Sequence, residues 1–273
     1  MWQCPLCQHP LTTETTMARC ENGHTFDRAR SGYFNLLPVQ FKKSRSPGDD
    51  KTMLTARRQF HSSDGYLPLK RALLDAMVAH WPATTPDVLF ESGCGEGSYL
   101  AYLREGLIER GITVSGAGCD IAKPAVEMAS KAFRENQFVV ASNVNLPVAD
   151  GAVGAMLQVF APGSTKEYHR VIAPGGLLIT VDPGPAHLSE IKQRVYREVR
   201  PHTPPDSVRE GFVLKDTQTV GFTLNFSSEA QKQALLTMTP YYWRVPENDM
   251  ATRFCDLTAV TADFVIQFWQ RNP

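Results

Sequence analysis

Residues 88–97, VLFESGCGEG, set an apolar run directly before three alternate glycines, Gly93, Gly95 and Gly97, with Glu91 two positions ahead of the first. A strand ending in such a turn offers bare backbone, and a helix starting behind it aims unpaired N–H groups at the same point. Downstream the signals alternate. SYLAYLREGLIER carries Leu100, Leu103 and Leu107 at helical spacing, ITVSGAGCD reads as a strand, KPAVEMASKAF as a helix and QFVVAS as a strand. AVGAMLQVF and GLLITV read as buried strands, separated by TKEYHRVIAPGG, a helix expected to end at Pro-Gly-Gly. Such alternation predicts an α/β fold with a mostly parallel sheet, helices on both faces and a ligand beyond the carboxyl ends of the strands. Ahead of the turn, LKRALLDAMVAHW places Leu69, Leu73, Ala76, Met77 and His80 on one helical face. In the last third, HLSEIKQRVYREV and EAQKQALLTM read as helices and DFVIQFWQR as a final strand.

Spacing narrows the ligand. The dinucleotide fingerprint G-x-G-x-x-G needs a glycine at 98, where the chain has Ser98. Glu91 beside the turn suits a ligand that presents a cation where a dinucleotide presents pyrophosphate. Glu91 with GCGEG fits the E/D-x-G-x-G-x-G pattern of S-adenosylmethionine-dependent methyltransferases, whose cofactor would meet Glu91, Gly93, Gly95, Glu96 and Gly97. Asp120 ends the second strand 25 residues beyond Gly95; it suits either both ribose hydroxyls or the start of the helix near Lys123. Asn143, in ASNVNLP, is placed to meet the adenine.

Three of the six cysteines crowd the first twenty residues, as Cys4-x2-Cys7-x12-Cys20-x3-His24. Paired donors on tight turns, with Pro5 in the first and Asn22-Gly23 in the second, are what tetrahedral zinc requires. A closed four-ligand site leaves no position for substrate, so the expected zinc is structural and folds a unit too small to fold alone. His9 between the pairs reads as a bystander.

Charge sums to zero, which speaks against an indiscriminate polyanion binder. Residues 1–75 nevertheless hold 11 Lys/Arg against 7 Asp/Glu, and Lys42, Lys43, Arg45, Lys51, Arg57 and Arg58 fall in one short stretch. That stretch is either a nucleic-acid track or a solvated loop and helix face. With 42% hydrophobic and 21% charged residues, no long apolar run and no basic-then-apolar leader, the expectation is a cytoplasmic protein without a membrane span.

The zinc cluster, GYFNLLPVQFKKSRSPGDD, ARRQF, GCGEGSY, FAP, PGPAHL and the terminal FWQR, in that order, closely resemble the large-subunit ribosomal RNA guanine-N1 methyltransferases of the RlmA family, along essentially the whole chain. The resemblance implies a class I (Rossmann-like) methyltransferase domain, an N-terminal zinc-binding domain that helps recognise a hairpin of 23S ribosomal RNA, and a homodimer. It also carries cofactor contacts onto Tyr66, the GCGEG turn and His187; from the residues alone, Tyr66 reads as a half-buried aromatic where a helix begins and His187 as an N-terminal helix residue. Two departures stand out: Glu91-Ser92 where Asp-Ile is common, and Asp182 where Thr is usual. The expected organisation is 1–35 zinc-binding module, 36–75 basic linker and leading helix, and 76–273 methyltransferase domain.

Guanine N1 carries a proton at neutral pH, so its methylation needs alignment with the donor methyl and a proton acceptor. Phe160, at the end of the fourth strand, either stacks on the target base or caps the core, and Asp182 and Glu96 are both candidate acceptors. The competing readings are a small-molecule methyltransferase with the zinc unit as a lid, and a nonenzymatic RNA-binding protein with a vestigial domain.

Overall fold

The computed structural model describes residues 1–41, 48–82 and 84–273. Three short strands, β1 (Thr12–Thr13), β2 (Met17–Arg19) and β3 (Thr25–Asp27), form a small antiparallel sheet. The next strand, β4 (Phe34–Asn35), leaves that sheet and runs parallel to β7 (Gln137–Val140) at the edge of the large one. Trp2 is buried at 5% exposure, its indole Nε1 donates to Gln137 Oε1 at 2.8 Å, and its ring meets Phe90 edge-on at 6.1 Å. The N-terminal module is thus clamped to the main sheet by Trp2 and Phe34, which share one core with Phe90, Ala117 and Val139.

Two helices follow: α1 (Lys51–Ser62), capped by Asp50, whose carboxylate accepts from Met53 N–H at 2.9 Å, and α2 (Leu67–His80), with Pro68 in its first turn. The alternating part then runs β5 (Val88–Ser92), α3 (Ser98–Glu109), β6 (Ser115–Asp120), α4 (Lys123–Ala132), β7, β8 (Val153–Val159), α5 (Thr165–Val171) and β9 (Ile172–Pro183). After it come α6 (Ser189–Val195), β10 (Phe212–Asn225), α7 (Glu229–Thr237), α8 (Glu247–Phe254) and β11 (Ala259–Arg271). Strand order is β10-β11-β9-β8-β5-β6-β7-β4. The strands from β4 to β9 are parallel, and β11 and β10 are antiparallel additions. The order reverses between β5 and β8, so the crevice at their carboxyl ends is where a ligand is expected in such a sheet.

The elements differ from the sequence reading at several places. The helix at 165 ends at Val171, and Ala-Pro-Gly-Gly belongs to β9, because Ile172 already pairs with Val153. β5 extends past VLF to include Glu91 and Ser92. β10 was not expected at all; its residues alternate between half-buried and exposed with little fully buried, which leaves hardly any apolar periodicity to read.

Candidate active site and metal centre

In the N-terminal module the donor atoms of Cys4, Cys7, Cys20 and His24 all lie within 4.8 Å of one another. Cys7 Sγ is 3.7 Å from Cys20 Sγ, and His24 Nδ1 is 3.5 Å from the Sγ atoms of Cys4 and Cys20. Donors about 2.0–2.3 Å from one zinc ion stand at about these separations on a tetrahedron. The spacing is far beyond the ~2.05 Å of a disulfide. His9 lies outside the cluster: its Nδ1 is 3.1 Å from Cys7 O and its Nε2 is 3.0 Å from Glu21.

At the carboxyl ends of β5, β6 and β8 lies a cavity of about 940 Å³. Its first wall is the glycine turn. Gly93, Gly95 and Gly97 all have positive φ, at 76°, 53° and 88°, where L side chains are strained. A Cβ on Gly93 would stand 2.5 Å from Ala161 Cβ, and one on Gly97 would crowd Ala129, Phe133 and Phe138, so the first closes the turn onto β8 and the third packs α3 against α4 and β7. Asp120 fastens the turn from the next strand, with Oδ2 accepting from Gly95 N–H at 2.9 Å and Oδ1 from Ala122 N–H at 2.8 Å. The carboxylate therefore holds the turn that leads into α4, whose N-cap is Ala122, and lines the cavity at once. Burial raises its pKa, and the two N–H groups pull against that rise.

Two carboxylates of the turn have different surroundings. Glu91 is 1% exposed, accepts from Leu100 N–H at 3.1 Å in the first turn of α3, and has its pKa driven well above the usual range by burial. A cation at the cavity wall is what would hold it ionised. Glu96, at 2% exposure, is taken up by α1: Arg58 Nε donates to Oε2 and Arg58 Nη2 to the Glu96 carbonyl at 2.6 Å, while Oε1 accepts from Ser98 N–H at 3.3 Å. The neighbouring Arg57 pairs with Asp49 at 2.5 Å beside Gly95. These two arginines of the expected basic track are thus engaged with acids; Lys42, Lys43 and Arg45 lie outside the described residues.

The second wall comes from distant parts of the chain. Phe160 has φ of 50° and is 45% exposed, and Leu188, at the same cavity, has φ of 53°. Strained non-glycine backbone persists where the surroundings enforce it, and it concentrates at functional sites. The Phe160 ring stacks on His187 at 6.1 Å and 28°, with Phe264 beneath at 5.6 Å. His187 Nδ1 accepts from Asp263 N–H at 3.3 Å, and burial pulls its pKa down to about 3, so the ring is neutral. Tyr66 stands in the same aromatic cluster, 5.0 Å from Phe264, and is buried as the residue capping α2. Asp182, near the end of β9, is half-buried, and burial raises its pKa, against an opposing pull from Arg209. Asn143 lines the cavity and donates from Nδ2 to Pro162 O at 3.0 Å. Sequence reasoning missed the contributions of Asp49, ahead of α1, of Arg57 and His61 on α1, and of His202 and Tyr241 later in the chain. ARRQF was the one available signal, and it names no partner.

The family described as "RlmA, N-terminal" matches residues 2–45, and the methyltransferase domain family matches residues 90–180. A Streptomyces fradiae protein named 23S rRNA (guanine(748)-N(1))-methyltransferase is 32% identical over 263 residues, covering 94% of this chain and 91% of its own. YxjB of Bacillus subtilis strain 168, provisionally named 23S rRNA (guanine-N(1)-)-methyltransferase, is 30% identical over 91% of this chain and 89% of its own. A Micromonospora griseorubida protein with the same provisional name is 33% identical over 71% of this chain and 69% of its own. With the zinc-ribbon module, the glycine turn and this end-to-end likeness together, the chain belongs to the 23S ribosomal RNA (guanine-N1)-methyltransferase family with an RlmA-type N-terminal module.

Proposed function

We propose that the chain methylates N1 of one guanine in a hairpin loop of 23S ribosomal RNA. The observation that carries the reading is a single cavity with a glycine-turn wall facing an exposed, strained aromatic and a half-buried carboxylate. The relatives supply the acceptor's identity, since all three carry the same reaction in their names.

S-adenosylmethionine supplies an electrophilic methyl on a sulfonium centre. In this reading Glu91 holds the cofactor's ammonium group, which keeps the buried carboxylate ionised. Gly93, Gly95 and Gly97 let the backbone approach it, and Asp120 receives ribose hydroxyls on the lone pairs left beside its two N–H contacts. Glu96 shapes the turn through Arg58, Asn143 borders the adenine, and Tyr66 with His187 closes the aromatic side. Phe160 stacks on the extruded guanine, as bases taken out of a stack require.

Asp182 and Glu96 entered as equal candidates for the proton acceptor. The bonds from Arg58 and Ser98 occupy Glu96, which favours Asp182. In this reading an Asp182 oxygen takes the N1–H proton as N1 is methylated, while bound S-adenosylmethionine would supply the methyl and keep the electron pair of the broken C–S bond. A raised carboxylate pKa brings the acceptor closer to the guanine N1–H and helps the transfer.

Cys4, Cys7, Cys20 and His24 hold zinc in a closed structural site, and the module they fold contributes RNA binding. The reading includes cytoplasmic action, where ribosomal RNA is available, and the homodimer implied by the resemblance, which light scattering tests. No helix among the described residues is long and apolar enough to cross a membrane. The decisive assay incubates the protein with S-adenosylmethionine and unmodified, protein-free 23S ribosomal RNA and reverse-transcribes the product. N1 methylation blocks the pairing edge, so a new cofactor-dependent stop at one loop guanine is expected. No stop on naked RNA or on precursor particles, with cofactor bound and zinc full, would overturn the reading.

A further inference from the structure

A second cavity, of about 530 Å³, lies where the zinc module meets the methyltransferase domain, at the edge formed by β4 and β7. Four cations line it: Arg28 and Arg30 from the segment after β3, and Lys131 and Arg134 from the end of α4 and the turn behind it. No acidic residue lines it. Among the described residues Arg28, Arg30 and Arg134 make no ion pair, and Lys131 pairs with Glu127 at 2.6 Å.

Arg28 is fixed in place. Its Nη1 donates to Gly32 O at 3.1 Å, its Nη2 to Glu14 O at 2.9 Å, and its guanidinium sits 4.3 Å over the Phe34 ring. Its Nε is buried and unpartnered, as is Ser130 Oγ in the same lining. Buried donors without partners are rare in folded proteins and costly, so each asks for an acceptor. Trp2 and Phe34 supply apolar walls, which strengthen the field of the cations across the opening. Arg30 and Arg134 extend from opposite sides of the junction, one from each unit, and both are exposed.

We propose that this cleft is a phosphate-binding site that seats a backbone phosphate of the RNA substrate while the loop guanine occupies the first cavity. The proposal rests on the ribosomal RNA reading for the source of its ligand, and the ligand chemistry is a phosphate group; free polyphosphate is the other source of the same group. β7 connects the two sites. Its first residue, Gln137, lines the cleft, while Asn143, three residues past its carboxyl end, lines the cofactor cavity, so at most about 20 Å of chain separates the two residues. A hairpin stem reaches across that span with its backbone. Because each unit supplies half of the cations, zinc-dependent folding of the module would complete the site.

The experiment uses the full zinc-loaded protein with Arg30→Ala, Arg134→Ala, the double variant and Arg134→Lys. Binding of the 23S hairpin is titrated over a series of salt concentrations, with S-adenosylmethionine affinity measured alongside and thermal shifts recorded with tripolyphosphate. The slope of log affinity against log salt should fall by about 0.7–0.9 for each cation removed, with the double variant binding about fivefold to tenfold more weakly at moderate salt. Arg134→Lys should keep the wild-type slope, and cofactor affinity should not move. Stabilisation by tripolyphosphate, lost in the double variant while RNA slopes are unchanged, would assign the site to free polyphosphate. Unchanged slopes with no tripolyphosphate shift would overturn the proposal. RNA that binds with the expected slopes but is never methylated would sink the catalytic reading and leave the cleft standing.

Discussion

The two walls of the main cavity are built in opposite ways. The cofactor wall is local: Glu91 to Gly97 form one turn, fastened by Asp120 from the adjacent strand. The acceptor wall is assembled from Phe160, Asp182, His187, His202 and Tyr241, which meet only when the sheet is complete. The local wall needs glycine because its backbone has positive φ, whereas the assembled wall forces the same left-handed region onto Phe160 and Leu188 through packing. In the proposed reading, donor binding rests on the backbone shape of the turn with Glu91 and Asp120 beside it, and acceptor chemistry on Phe160 and Asp182, held by later strands. Substitutions on the two sides should separate cleanly into cofactor affinity and turnover.

The largest effect expected is that of Asp182→Asn. Loss of a general base lowers kcat by about 10²–10⁴-fold, with cofactor affinity intact by calorimetry. A full-rate Asp182→Asn enzyme would remove the acid-base half of the comparison. For the wild type, the rate should rise with pH through the raised pKa of Asp182, and that limb should vanish in the variant. Gly93→Val breaks the other wall. A Cβ 2.5 Å from Ala161 Cβ, on a φ of 76°, should weaken S-adenosylmethionine by about 100-fold or more in equilibrium dialysis. Phe160→Ala should cost about 5–150-fold in kcat/KM for RNA, the range of one base–aromatic stack, while cofactor affinity stays within about twofold. An equal loss in both would mean that Phe160 serves the core rather than the base.

The smallest effect concerns stability. His187 has a folded pKa depressed to about 3, so between that value and its unfolded value near 6.5 the unfolded chain binds more protons. Stability contributed by the neutral ring is present above about pH 6.5 and declines as pH falls toward 3. His61, also lowered by burial, acts in the same direction. His187→Gln should flatten the decline in denaturant midpoint between pH 6.5 and 4.5 relative to wild type. An unaltered decline would assign it to His61 and the carboxylates.

The same contrast governs how much was readable in advance. The alternation of strands and helices, the glycine turn, Asp120 and the cysteine–histidine cluster all lie in short spans with their own spacing, and these regions meet where the spacing implied. Arg57 and Arg58 read as a basic stretch, yet one pairs with Asp49 and the other with Glu96, which only the docking of α1 decides. β4 is two residues long, and β10 carries Lys215, Asp216, Gln218 and Gly221 along a partly solvated edge, so neither has an apolar rhythm to announce it. Phe160 was open between stacking and core filling; its exposure at the cavity mouth favours stacking.

The most direct test of the two-wall account is nucleoside mass spectrometry of 23S ribosomal RNA treated with the wild-type protein and isotopically labelled S-adenosylmethionine. The account predicts label in 1-methylguanosine alone, confined to one hairpin fragment and absent with Asp182→Asn. Label in another nucleoside, on a ribose or on a different guanine atom would contradict it.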